Sequence, residues 1–77
     1  MEYPNKRSEV EITLDSVKTI SEELIAELPD VATVKRNVDH LLIVKSGSYV
    51  DLSQFSDAQI ISINNAISSG NTYISTL

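Results

Sequence analysis

The stretch VATVKRNVDHLLIV, residues 31–44, decides the fold, because its apolar residues fit two kinds of secondary structure. A helical face is indicated by apolar residues at intervals of three and four, namely Val31, Val34, Val38 and Leu41. Strands are favoured by the many β-branched residues and by RNVD and KSGS, which supply turn residues between apolar runs. We prefer strands, at residues 31–36, 41–45 and 48–52, with a tight hairpin around Gly47 joining the last two.

The residues before this stretch predict a strand and then a helix. EVEITL, residues 9–14, alternates apolar side chains with acidic or polar ones, as in a half-buried strand with an acidic outer face. A helical stripe follows in Val17, Ile20, Leu24 and Leu28. Pro29 prevents this helix from continuing, so it is expected near residues 16–28, with two alternative caps about one turn apart.

A second helix is predicted within QFSDAQIISINNAISSGN, residues 54–71. Ser56 and Gln59 have the spacing of a capping box, in which each side chain satisfies the other residue's backbone N–H. Phe55 and Ile60 have the spacing of a hydrophobic staple across the same helix start. These two local pairs give this helix the clearest beginning in the chain.

Gly70 supplies the residue that commonly ends a helix, so the second helix is expected over residues 57–69, with a strand in TYISTL, residues 72–77. The resulting order is strand, helix, strand, strand with a hairpin extension, helix, strand. This is the split βαβ or ferredoxin-like order of an α+β protein, in which two helices cover one face of an antiparallel sheet. Residues 9–77 are expected to form this single α+β domain, and the polar residues 1–8 a flexible N-terminal tail.

Composition bounds the size of the core and excludes several kinds of chemistry. A chain of 77 residues with 42% hydrophobic residues builds one small core. The absence of cysteine excludes disulfides, thiolate catalysis and Cys-based zinc sites. No apolar signal segment and no run of about 20 apolar residues is present, so we expect a soluble, cytoplasmic protein without a membrane partner.

No catalytic, metal or cofactor site is expected. The one histidine, His40, lies beside Asp39 in a predicted turn, and no serine is marked as a nucleophile. Glu22, Glu23 and Glu27 could ligate a metal ion, but the sequence offers no second cluster of ligands beside them. We therefore predict that the protein is not an enzyme.

Charge argues against direct binding of nucleic acid. The net charge is −5 at pH 7, whereas a phosphate backbone is bound by basic surfaces. Tyr49 is the only aromatic residue in the predicted middle strands, where Lys35, Arg36 and Lys45 lie nearby. We interpret these cations as bordering the hairpin.

Two surfaces remain for a protein partner, one acidic and one poor in charge. The acidic surface would face a basic protein and could imitate a nucleic acid. The second helix carries a single charge, Asp57, and its Ile61 lies off the apolar stripe. The partner-binding residues predicted on these surfaces are Glu22, Glu23, Glu27, Ile61, Asn64 and Asn65. The plainer interpretations are a solvated acidic surface and a wide core-facing stripe.

The sequence thus predicts a small acidic module that works by protein–protein contact. It would act as a regulator or inhibitor of a larger protein, or as a subunit of a homo-oligomer such as a homodimer. The alternative is a small-ligand sensor that binds a metabolite at a dimer interface.

Overall fold

The computed structural model describes residues 9–47 and 50–76, and every regular element within them is helical. The long helices are α1 (Glu9–Ile25), α2 (Val31–Lys45) and α3 (Asp57–Ser75), with a 3-10 turn at Leu52–Gln54 before α3. Each long helix contacts the other two, which makes a three-helix bundle. The α+β, ferredoxin-like expectation is therefore wrong, since the described residues contain no strand. The expected tail, residues 1–8, lies outside them.

Residues 31–44 lie in one continuous helix, so the strands expected at residues 31–36 and 41–45 are wrong. The core-facing side chains of α2 lie at helical spacing and are at most 2% exposed: Val34, Val38, Leu41 and Val44. Burying a side chain of this size contributes about 1.5–3 kcal/mol, whereas the strand preference of valine is worth at most about 1 kcal/mol. Packing of the stripe against α1 and α3 therefore decides the conformation.

Asp30 caps the N-terminus of α2. Its carboxylate accepts hydrogen bonds from the Thr33 hydroxyl at 2.6 Å and the Ala32 backbone N–H at 3.1 Å. The Thr33 hydrogen bond is the main cause that lowers the pKa of Asp30, and hydrogen bonds from Ser53 lower the pKa of Asp51 in the same way. Because the folded-state pKa values lie below the ordinary 3.8, this stabilisation is present at neutral pH. It is lost as the pH falls below 3.8 and through the folded-state values.

The first helix occupies residues 9–14, where a strand was expected. Thr13 and Ser16 are buried on its core side, and the Thr13 hydroxyl donates to the Glu9 carbonyl at 2.7 Å. The Thr13 hydroxyl therefore faces the core with its donor satisfied, which the alternating pattern of EVEITL does not reveal. The helix ends before Leu28, which the sequence placed on its apolar stripe and which is 91% exposed.

The predicted capping box at the start of α3 is confirmed. The Ser56 hydroxyl oxygen accepts from the Gln59 N–H at 3.1 Å, and the Gln59 side-chain oxygen accepts from the Ser56 N–H at 2.8 Å. The helix continues to Ser75, beyond the predicted end. The strand expected at residues 72–77 is therefore wrong, and its last residue, Leu77, lies outside the described residues.

Gly70 lies inside α3 and does not end it. It is buried against α2, and a methyl group at this position would overlap Cγ2 of Val38. Glycine in a helix costs about 1 kcal/mol relative to alanine. Here it allows α3 to approach the centre of α2 closely, so that packing is the reason for the glycine.

The chain leaves α2 through Gly47, whose φ of +80° is a conformation that glycine adopts readily. The hairpin and the strand expected at residues 48–52 are not formed in the described part, where a 3-10 turn follows a bend. Residues 48 and 49 lie outside the description. Val50 and Phe55 are buried, so this connection covers one end of the core.

Ser56→Ala is expected to lower the free energy of unfolding by about 0.5–2 kcal/mol, because it removes the oxygen that caps the Gln59 N–H. Chemical denaturation measures the loss. Ser62→Ala, at an exposed position inside the same helix, is the matched control and should leave stability unchanged or slightly raised. Equal stabilities for the two variants would contradict a stabilising cap.

Gly70→Ala is expected to destabilise the bundle by about 1–2 kcal/mol, because overpacking costs about 1–3 kcal/mol and the gain in helix propensity returns at most about 1 kcal/mol. In a Val38→Ala background the added methyl group has space, so the same substitution should be neutral or stabilising. Denaturation of the four proteins in this double-mutant cycle measures the coupling. An equal loss of unfolding free energy in both backgrounds would show that the added methyl group does not overlap Val38.

Candidate functional site

An open groove of about 390 Å³ runs between α1 and α3. Its lining residues are Val17, Ile20, Ser21, Leu24, Ile25, Ser62, Asn65, Ala66 and Ser69. The two helices lie side by side in the same direction, and the Tyr73 hydroxyl donates to the Pro29 carbonyl at 3.3 Å, next to the end of α1. The groove therefore follows about two helical turns of each wall.

The α1 wall of the groove is mainly apolar. Val17 and Leu24 are partly buried against the core, while Ile25 is 84% exposed. These positions recur at intervals of seven and one, so they lie on the side of α1 that faces α3. Leu28 follows just beyond the helix and is also exposed. Ile25 and Leu28 therefore leave two exposed apolar side chains at this end of the groove.

The α3 wall of the groove is uncharged and built from short side chains. Ser62, Asn65 and Ser69 follow the helical interval of three and four along one edge. From residue 58 onward the sequence has no charged residue. Short side chains leave the space that forms the groove, and the lack of charge lowers the cost of removing water from this wall.

The solvent edge of α1 beside the groove is acidic. Glu11, Asp15, Lys18 and Glu22 are exposed and recur at intervals of four, three and four, and we call them the acidic edge. Lys18 lies 3.8 Å from Glu22, in an exposed ion pair of the kind that contributes little to stability. The acidic edge carries three acids and one base, so its formal charge is negative, and Glu11 and Asp15 already interact with other groups of the chain.

The acidic residues predicted from the sequence do not share one face. Glu22 belongs to the acidic edge, whereas Glu23 lies about 100° around the helix and accepts the Asp30 backbone N–H at 2.6 Å. Glu27 is exposed in the connection after α1. Glu23 therefore holds the connection between α1 and α2, and Glu22 remains directed towards solvent.

Of the residues predicted on the charge-poor helix, Asn65 lines the groove. Ile61 is 59% exposed and is not among the lining residues. Asn64 is partly buried, and its Oδ1 accepts no hydrogen bond within the described structure. The sequence did not indicate the groove residues Ile25 and Ser69, although an isoleucine beside the apolar stripe of α1 was an available signal.

Two kinds of site are not found in the part of the chain that the structure describes. No three His, Cys, Asp or Glu side chains in it are grouped to hold a metal ion, and none of its helices has the length and apolar content to cross a membrane. His40 lies within α2 and not in the turn expected for it. Comparison with protein-family models, curated proteins and solved structures finds no match to this chain.

Glu23→Ala is expected to lower the free energy of unfolding by about 0.5–1.5 kcal/mol, because the Asp30 N–H loses its charged acceptor at the partly exposed connection. Glu22→Ala, one residue earlier, removes only an exposed ion pair and should change stability by less than about 0.5 kcal/mol. Urea denaturation of the two variants compares them directly. Equal effects would show that the Asp30 contact does not stabilise the connection.

Proposed function

We propose that the protein is a small acidic protein–protein interaction module that binds another protein chain through the groove between α1 and α3. Such a module acts as a regulator or inhibitor of a larger protein or as a subunit of a homo-oligomer. The observation that carries the proposal is the exposed apolar wall of α1 opposite an uncharged wall of α3.

The energetics of the groove favour a protein partner. Ile25 and Leu28 are almost fully exposed, and covering each of them would contribute up to about 1.5–3 kcal/mol. Interface cores are depleted of charge, as the α3 wall is, and interface rims are polar or charged, as the acidic edge is. The groove is partly open to solvent, whereas small-ligand sites enclose most of the ligand surface, so a polypeptide suits it better.

The acidic edge has a kinetic role in this proposal. Exposed charges beside an apolar contact accelerate association with a surface of opposite charge and orient the partner. They contribute little to affinity, because solvent and salt screen them. Binding strength then depends on the apolar wall and association rate on the acidic edge.

Ile25→Asp is expected to abolish binding, because it places a charge in the apolar wall of the groove. Ile61→Asp is the matched control, since it makes the same change at an exposed position of α3 outside the groove lining. Affinity pull-downs from an extract of the source cells should retain the same protein on wild type and Ile61→Asp and lose it on Ile25→Asp. Thermal melts establish that both variants are folded.

The opposite pattern would contradict the groove as the binding surface. If Ile61→Asp loses the protein and Ile25→Asp keeps it, the contact lies on the outer face of α3, as the sequence predicted. If a folded Ile25→Asp variant retains every protein that wild type retains, the proposed function through this groove is wrong.

A further inference from the structure

We propose that the groove is filled by a second copy of this chain, which inserts the outer face of its α2 between α1 and α3. This inference rests on the proposed function, because it names the partner of the same groove. The two contacting surfaces of each copy are different, so the contact is head to tail. Contacts of this type form rings when the rotation between copies closes and filaments when it does not.

The outer face of α2 combines exposed apolar and basic side chains. Leu42 and Ile43 are 44 and 52% exposed. Lys35 and Arg36 lie seven residues before them, which is about two helical turns, and both are exposed on the same sides of the helix. We call these four residues the α2 ridge. It is a helical surface that is apolar at one end and basic at the other, with the exposed acid Asp39 between the two ends.

Charge complementarity selects the α2 ridge as the occupant. The helix α1 contains five acids and one base, α2 contains three bases and one acid, and α3 contains only Asp57. The acidic edge beside the groove therefore has its opposite charge on α2 of another copy. On-rate and orientation both benefit when surfaces of opposite charge meet.

The spacing of the two surfaces also agrees. Arg36 and Ile43 are seven residues apart on the α2 ridge, and Asp15 and Glu22 are seven residues apart on the acidic edge. With the two helices parallel, Arg36 lies level with Asp15 when Ile43 lies level with Glu22. Ile43 then enters the groove beside Ile25. The short side chains of the α3 wall give the incoming helix room to approach.

Other ways of filling the groove fit less well. A symmetric contact between two grooves would bring the acidic edges of both copies together, and like charges in contact oppose association. An extended peptide that adds to a sheet needs an exposed strand edge, and residues 9–47 and 50–76 contain no strand. A helix that carries apolar and basic residues suits the apolar α1 wall and the acidic edge beside it, and α2 is such a helix.

Sedimentation velocity of the full chain over a range of concentrations tests the proposal. The wild-type chain is expected to form species larger than a dimer as concentration rises. The association rate, measured by stopped-flow light scattering, should be at least tenfold lower in about 1 M salt than in about 0.01 M salt, since the screening length falls from about 30 Å to about 3 Å. Assembly that stops at the dimer, or an association rate that does not fall as salt is raised, would contradict a head-to-tail contact between opposite charges.

Two variants separate the contacting surfaces. Ile25→Asp alters the groove and Ile43→Asp alters the α2 ridge, so each alone is expected to sediment as a monomer. Their equimolar mixture should form a heterodimer and stop there, because one copy keeps an intact ridge and the other an intact groove. Ile61→Asp is the control and should assemble as wild type does.

Three results would overturn the inference. If Ile43→Asp self-associates as strongly as wild type, the contact is a symmetric one between two grooves. If the equimolar mixture of Ile25→Asp and Ile43→Asp remains monomeric, the ridge of one copy does not bind the groove of another. A wild-type chain that stays monomeric would also overturn it, although the proposed function would stand if a cellular protein still binds wild type and not Ile25→Asp. Circular dichroism checks folding, and Arg36→Glu, on the exposed ridge, replaces Ile43→Asp if that variant unfolds.

Discussion

Burial of one stripe of α2 is the constraint on which the structure depends. Val34, Val38, Leu41 and Val44 are almost entirely removed from solvent, and they lie between the other two helices. A chain of 77 residues has only one core. Each helix is therefore stable through its contact with this stripe and not through its own propensity, as is usual for helices of this length.

The close approach of α3 to α2 determines where the surface remains open. Gly70 has no side chain where α3 meets Val38, so those two helices pack closely. The short side chains of Ser62, Ala66 and Ser69 face α1 and do not fill the space between α1 and α3. The groove is thus a consequence of two features of α3: a glycine that faces α2 and small polar residues that face α1.

The helices also divide the charge of the chain among themselves. Acidic residues are concentrated on α1 and basic residues on α2, and the only charged residue of α3 is Asp57. The net charge of −5 conceals this division, so it is a poor guide to the charge of any one helix surface. A protein that is acidic as a whole still presents a basic helix, and this permits contacts between copies that the net charge alone would oppose.

Local pairs were predictable from the sequence, and distant ones were not. The capping box of Ser56 and Gln59 joins residues three apart, so spacing alone identified it. Gly70 was predicted to end a helix, because a glycine that ends a helix and a glycine that allows close packing of another helix look the same in the sequence. The residue that it packs against, Val38, is far away in the sequence. Asn65 was predicted as a contact residue. Ile25, which lines the opposite side of the groove, lies on another helix, so the sequence did not connect the two residues.

The sequence by itself determined the small single core, the acidic character, the absence of cysteine chemistry and the start of α3. The tertiary structure alone decided that residues 31–44 are a helix. Their valines satisfy both a strand preference and a helical stripe, and local propensity separates these by about 1 kcal/mol per residue at most. Burial of the stripe between α1 and α3 is worth more than that at each position, and it exists only once the other two helices are in place.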